Sequence, residues 1–338
     1  MLRRTLLALA AIAAPAAAQS QEVNLYNARH YDSDAALYER FTAETGIRVR
    51  IIQGDADQLM ARIQSEGRNS PADVFITVDA TRLARASQAG ILQPYAIPGV
   101  DSRVPADRRD PNGLWFAITM RGRVIMYDKQ AGRPERLNRY EDLADERFRG
   151  QICVRAANHP YNVGLATSIL AADGVAGTEA WARGVAANLA RPPQGGDRDQ
   201  FRAIPSGQCR LAIANTYYLG HVGASQRPED RAVFERIGVI FPNQGRGDRG
   251  THVNVPGAGL VKTAPNAANA RRLLEFMVSD EAQEILAQGN MEYPSVPGAP
   301  MHPILRSFGE FRAEPIAAML DANRAAEALQ IMQRAGWR

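Results

Sequence analysis

Three short segments carry tyrosine where a strand pattern gives out. Asn27-Ala28-Arg29-His30-Tyr31-Asp32 follows an alternating run over 23–27, Asn158-His159-Pro160-Tyr161-Asn162 follows 151–155, and Asn215-Thr216-Tyr217-Tyr218 follows 209–214. A lone tyrosine at a strand end is ordinarily a packed aromatic with a satisfied hydroxyl. The adjacent pair Tyr217-Tyr218 resists that account, because on a regular strand the two would face opposite sides. At a strand-to-helix turn both hydroxyls can converge, and the positive end of the helix then favours phenolate over phenol. Phenolate is a hard, anionic oxygen donor with an unperturbed pKa near 10, so it takes a metal at neutral pH only when the cation is acidic enough to displace the proton. Ferric iron meets that condition far better than calcium, magnesium or zinc. A calcium site would cluster carboxylates with backbone oxygens, and structural zinc would gather Cys and His; neither pattern is present. If Tyr31, Tyr161, Tyr217 and Tyr218 all bind as phenolates, their charge exceeds that of a trivalent ion, and a nearby arginine becomes useful as compensation.

These segments sit in a repeating alternation of strand and helix. After the opening strand the pattern predicts a helix over 33–45, with Asp32 or Ser33 as N-cap, Leu37 and Phe41 on one face, and Gly46 closing it. A strand over 47–52, a helix over 57–66, a strand over 73–78 and a helix over 80–89 ended by Gly90 follow. A second group reads as strand 123–127, helix 140–148, strand 151–155, helix 164–172 and strands 209–214 and 237–241, with 191–197 a loop. Residues 252–261 read as a strand placed to return to the first group. Amphipathic helices follow over 266–278 and 280–287, and helical patterns recur over 315–334. Alternation at this spacing means parallel α/β layers. Two such lobes linked by crossing strands leave a cleft where ligands meet the carboxyl ends of the strands, and all three tyrosine segments should face it.

The 338 residues allow two domains, each able to bury its own core. Arg3 and Arg4 precede an unbroken small and apolar run over 6–18 that ends Ala16-Ala17-Ala18 before Gln19, the layout of a secretory signal peptide over 1–18. The run is shorter than the roughly 20 apolar residues a membrane crossing needs, and no cysteine stands near the cleavage site to carry lipid. A soluble periplasmic protein starting near Gln19 is expected. The formal net charge is +4, and Arg3 and Arg4 leave with the leader. The remaining charges are interspersed, with no basic block interleaved with aromatics, which argues against nucleic acid as a partner. Cys153 and Cys209 are the only cysteines. An even pair in an oxidising compartment suggests a disulfide, and each lies at the edge of a predicted strand.

At the tyrosine segments the chain resembles the ferric-ion-binding periplasmic proteins of bacterial iron ABC transporters, the bacterial transferrins, in particular the subgroup with an early His-Tyr pair and a late Tyr-Tyr pair. The matching stretches run in order along nearly the whole mature chain: Tyr26-Asn27-Ala28-Arg29-His30-Tyr31-Asp32, Asn69-Ser70-Pro71-Ala72-Asp73-Val74, Tyr161-Asn162, Gly195-Gly196-Asp197, Asn215-Thr216-Tyr217-Tyr218, Gly250-Thr251-His252-Val253-Asn254 and Glu292-Tyr293-Pro294. The resemblance implies the type II periplasmic-binding-protein fold, an α/β architecture of two lobes joined by crossing hinge strands, expected here over 19–118 plus 245–294 and over 119–244 plus 295–338. It implies a monomer that closes on one iron ion and hands it to an inner-membrane ABC permease. Carried over position by position, it makes Tyr31, Tyr161, Tyr217 and Tyr218 ligands, joined by His30 in some states. It sets Arg121 beside the metal or an accompanying anion, carbonate or another, with Arg123 as the fallback. Ferric iron is favoured, and a histidine nitrogen suits ferrous iron as well.

Other residues fall outside this chemistry. His159 reads as a loop residue, His221 as a solvated helix position, and His252 and Tyr293 as hinge packing. Gly195-Gly196-Asp197 lacks the Lys-Ser/Thr and the helix start of a phosphate loop. Two alternatives stay open. The same fold could receive a small anion through its arginines, a reading in which Tyr217 and Tyr218 matter little. An enzyme would need a nucleophile paired with a base and oxyanion donors, and the sequence has neither G-x-S-x-G nor H-E-x-x-H.

Overall fold

Val23, Leu25 and Tyr26 of the opening strand are all fully buried; a strand inside a parallel sheet is covered on both faces. The computed structural model describes residues 21–29, 31–320 and 322–338; the expected signal peptide and His30 lie outside them. The first part of the chain runs β1 (Glu22–Asn27), α1 (Asp34–Thr45), β2 (Arg48–Gln53), α2 (Ala56–Glu66), β3 (Val74–Thr77), α3 (Ala80–Gln88), β4 (Leu92–Gln93), α4 (Pro98–Arg103), β5 (Trp115–Ala117) and β6 (Thr119–Asp128). Then come β7 (Ile152–Cys153), α5 (Pro160–Ala187), α6 (Asp197–Arg202), β8 (Leu211–Asn215), α7 (Thr216–Ala224), α8 (Pro228–Arg236) and β9 (Ile237–Ile240). The last part is β10 (Val253–Asn254), β11 (Gly257–Val261), α9 (Ala267–Phe276), α10 (Asp280–Asn290), β12 (Tyr293–Pro294), α11 (Pro303–Ser307) and α12 (Ala322–Arg334).

One sheet has the order β2-β1-β3-β11-β4 with β5 on β11; the second has β10-β6-β8-β7 with β9 and β12 also on β6. Both are sandwiched by helices. Leu37, Phe41, Leu273 and Leu286 pack on one side of the first sheet, and Leu59, Ile63 and Leu83 on the other. Leu165, Trp181 and Ile331 cover one face of the second sheet, and Phe201, Leu219 and Val222 the other. The sheets are joined at β5–β6 and β10–β11. Where the chain crosses, Ile118 N–H donates to the Pro256 carbonyl at 2.9 Å, and Pro256, with no N–H to add to a ladder, divides the strand expected over 252–261 into two. Among the described residues no helix is long and apolar enough to cross a membrane.

Three local expectations are corrected. The helix expected over 140–148 is a pair of short 3₁₀ turns, because Asp145 is extended between them and its carboxylate accepts from Arg147 N–H. The helix expected over 164–172 starts at Pro160, so Tyr161 lies in its first turn and not in a loop; Gly174, at φ 68°, kinks it before it continues to Ala187. The segment 191–197 does hold a helix start: α6 begins at Asp197, and the Asp199 carboxylate accepts from Gly196 N–H at 2.7 Å.

Two features brace the second sheet beneath the tyrosine segments. Cys153 and Cys209 form the expected disulfide, with Cα atoms 5.9 Å apart, and β7 runs parallel to β8 with Cys153 opposite Ala212. Asp197, buried, accepts from Arg123 Nη1 at 2.6 Å, from the backbone N–H of Asn215 at 2.7 Å and from Arg155 at 3.3 Å. It thereby fixes Asn215, the residue that caps the start of α7. Replacing both cysteines with serine is expected to lower unfolding free energy by about 4 kcal/mol in urea titrations, the chain-entropy value for a loop of this length. Asp197→Ala should lower it by about 3–5 kcal/mol, since Arg123 is left as an uncompensated buried charge; a loss within experimental error would remove Asp197 from this role.

Candidate metal centre

Each tyrosine is placed by short-range chemistry at, or just ahead of, the start of a helix. After β1, Asn27 Oδ1 accepts from Arg29 N–H at 2.9 Å and turns the chain, and the Tyr31 carbonyl accepts from Asp34 N–H at 3.1 Å, so Tyr31 stands just ahead of α1. At α5, His159 is the N-cap and its Nδ1 accepts from Tyr161 N–H at 3.3 Å. Pro160 occupies the first helical position, where a missing N–H costs nothing. Strand β8 passes into α7 with no intervening loop. Thr216 Oγ1 accepts from Gly122 N–H at 3.1 Å and ties the start of that helix to β6. Tyr161, Tyr217 and Tyr218 therefore all lie in first turns, where unpaired backbone N–H groups favour negative charge.

The four side chains meet. Tyr31, Tyr161, Tyr217 and Tyr218 line a cavity of about 370 Å³ together with His159, Arg82 and Asp55. The hydroxyls of Tyr161 and Tyr217 are 3.4 Å apart. The ring of Tyr31 meets that of Tyr217 edge-on at 6.3 Å, and the rings of Tyr217 and Tyr218 lie 4.0 Å apart. Arg121, with 0% exposure, sits among them. Its Nη2 donates to the Tyr31 hydroxyl at 2.9 Å and its Nη1 to that of Tyr161 at 3.4 Å, and its guanidinium carbon lies 5.0 Å from the Tyr217 ring centre.

Two opposing effects act on these phenols. Burial raises the pKa values of Tyr31, Tyr161 and Tyr217, and the Arg121 cation lowers them; burial is the larger in each case and the net shift is upward. These three hydroxyls thus hold their protons at neutral pH. Among the described residues no three His, Cys, Asp or Glu side chains come together as a metal cluster, so phenol oxygens are the donors this cavity offers in number.

The arginines needed by an anion receptor are already neutralised. Arg121 Nε donates to Glu292 Oε1 at 2.6 Å. Arg123 is held by Asp197, by Asn162 Oδ1 at 2.6 Å and by Asn215 Oδ1 at 3.1 Å. Arg123 is a brace of the second sheet, and Arg121 is the cation at the tyrosines.

The remaining candidates fall out as follows. His159, expected as a loop residue, caps α5, lines the cavity and contacts Tyr161 edge-on at 4.5 Å; burial and then Arg155, Arg123 and Arg82 push its pKa down to about 3. His221 is half-buried, not solvated, with its ring 6.1 Å from Tyr217. His252 is fully buried in the hinge, donating its backbone N–H to the Tyr140 hydroxyl and pairing its ring with Glu314. Tyr293 lies opposite Met120 and is hinge packing. Arg29 and Glu292 stand in the matching stretches without a role assigned to them, and Arg82 stands in none. Glu292 left a signal in being a lone carboxylate between Met291 and Tyr293-Pro294; Arg82 left none, since nothing local separates it from a solvated helix position.

A family model described as bacterial extracellular solute-binding protein matches residues 69–305. Iron uptake protein A1 of Synechocystis sp. is 48% identical over 320 residues, 95% of this chain and 88% of that protein. The major ferric iron-binding protein of Neisseria meningitidis serogroup B is 28% identical over 325 residues, 94% of this chain and 91% of its own length. A solved Trichodesmium structure (IdiA, FutA), in complex with iron and citrate ligands, superposes with a TM-score of 0.89 at 46% identity, covering 94% of this chain and all of the other. The Bordetella ferric binding protein follows at a TM-score of 0.86 and 38% identity, over 94% of this chain and 99% of its own. With this breadth of match, the chain belongs to the bacterial extracellular solute-binding protein family, with the type II periplasmic-binding-protein fold.

Proposed function

We propose that this protein is a periplasmic receptor that captures one iron ion, ferric iron in preference, and delivers it as a monomer to an inner-membrane ABC permease. Its lobes are taken as 19–118 with 245–294 and 119–244 with 295–338, and the ion lies between them. The observation that carries this reading is the meeting of Tyr31, Tyr161, Tyr217 and Tyr218 on one cavity around the buried Arg121. The iron cargo named for the relatives supports the same choice. These tyrosines are the proposed ligands, and His30 is a fifth in some states. When all of the phenols ionise on a trivalent ion, one negative charge is left, and Arg121, though paired with Glu292, still donates hydrogen bonds to two of the phenol oxygens. Carbonate or another small anion completes the sphere where protein donors do not. Donor chemistry supports capture rather than turnover, because a metal held by this many phenolates has little open coordination for a substrate.

Protein titrated with ferric citrate is expected to develop a visible phenolate-to-iron charge-transfer band and to melt at higher temperature, with a gain of about 4 kcal/mol at a thousandfold excess over Kd. Replacing Tyr217 and Tyr218 together with Phe should abolish both effects. A double variant that binds as the wild type does would return the anion-receptor reading to first place.

Iron uptake should also depend on pH in a stated direction. Because the pKa values of Tyr31, Tyr161 and Tyr217 are raised, each of these phenolates formed on iron releases a proton at neutral pH. Apparent affinity therefore rises with pH, by about tenfold per unit for each proton displaced, and falls on acidification. Proton release measured on iron addition in weak buffer checks this; an affinity independent of pH between about 5 and 8 would contradict phenolate binding.

A further inference from the structure

Glu292 is not among the residues that line the tyrosine cavity, yet it is fully buried and two of its polar partners, Arg121 and Arg29, lie against the Tyr31 ring. Its Oε1 accepts from Arg121 Nε at 2.6 Å. Its Oε2 accepts from Thr119 Oγ1 at 2.5 Å and from Arg29 Nη2 at 3.2 Å. Arg29, also with 0% exposure, pairs through Nε and Nη2 with Asp34 at 2.8 and 3.2 Å, and Asp34 accepts from Asn290 Nδ2 at 2.7 Å. The series Asp34–Arg29–Glu292–Arg121 alternates in sign and sums to zero, so it is stable in a dry interior only when complete. Its outer end is Arg121, whose remaining donors reach Tyr31 and Tyr161.

We infer that Glu292 is a positioning residue for the iron site assigned above: it orients the Arg121 guanidinium, and through it the hydroxyl of Tyr31. The placement of the backbone supports this. Met291 ends α10 in the left-handed region at φ 53°, a conformation uncommon for a residue with a side chain, and the next residue is Glu292, turned onto the polar edge of β6. Tyr31 stands ahead of its helix, whereas Tyr161, Tyr217 and Tyr218 lie within first turns. Its hydroxyl accepts from Arg121 at 2.9 Å and also bonds Tyr217. Second-layer partners of metal ligands commonly change affinity by about 10–100-fold when removed, and this one would act at two bonds' remove.

The test is a double-mutant cycle on Glu292→Gln and Tyr31→Phe, read by competition for iron from ferric citrate and by the charge-transfer band, with metal-free melting followed in parallel. Glu292→Gln alone should weaken iron binding by about 10–100-fold and shift the band. In a Tyr31→Phe background the same change should cost less than about threefold, because the hydroxyl it acts through is gone. An equal cost in both backgrounds, or no cost in either, overturns the inference while leaving iron capture standing. A wild type that takes up no iron overturns the functional reading on which the inference rests. Should Glu292→Gln fail to fold, Thr119→Val removes a single bond to the same carboxylate and is expected to show the same dependence on Tyr31; equal costs there overturn it as well.

Discussion

Phenols crowded into a poorly solvated cavity cannot all ionise by themselves. Two unit charges about 4 Å apart repel by about 4 kcal/mol at an effective dielectric of about 20, and the Tyr161 and Tyr217 oxygens are closer than that, at 3.4 Å. A single guanidinium among them is too little to reverse the effect of burial, as the upward pKa shifts of Tyr31, Tyr161 and Tyr217 indicate. Protonated, the phenols carry no charge, and each must lose its proton before it can serve as an anionic donor. Magnesium and calcium do not displace phenol protons, so in the proposed reading a more acidic cation is the one that takes these oxygens.

The crossing strands carry this chemistry because the period of a strand separates their two faces. Along β6, Thr119, Arg121 and Arg123 point one way, with Asn254 paired opposite Arg121. Met120 and Val124 point the other way, and Met120 packs with Val253, Val255 and Tyr293. One face is thus an apolar seam that holds the lobes together, and the other is a buried polar strip on which Glu292, Asp197 and the tyrosines converge. Buried charges are tolerated there because each has a partner: Arg121 with Glu292, Arg123 with Asp197, Arg29 with Asp34. The hinge and the site are parts of one structure, since Arg121 bonds the hydroxyl that precedes α1 and the one that begins α5.

Much of this was legible in the linear chain. Strand–helix alternation, the glycine that closes α1, the cysteine pair and the tyrosines at strand ends all depend on periodicity and on local backbone preference. Elements were misread where a side chain overrode local preference. Asp145 stops a helix by capping its own turn, and Asp199 starts α6 by reaching back to Gly196. Tyr161, in the segment that follows the strand pattern over 151–155, lies in a first helical turn because Pro160 occupies the first position of α5 and begins it.

Residue type and spacing by themselves determined the α/β class, the three tyrosine segments and the donor chemistry of the cavity, because those follow from side-chain pKa values and from the repeats of helix and strand. Only the tertiary structure decided that Arg121 is the central cation and Arg123 a brace. Two arginines on the same face of one strand are equivalent locally. What separates them is the carboxylate each meets, Glu292 from 171 residues away along the chain and Asp197 from 74, and burial and distance on that scale have no counterpart in sequence pattern.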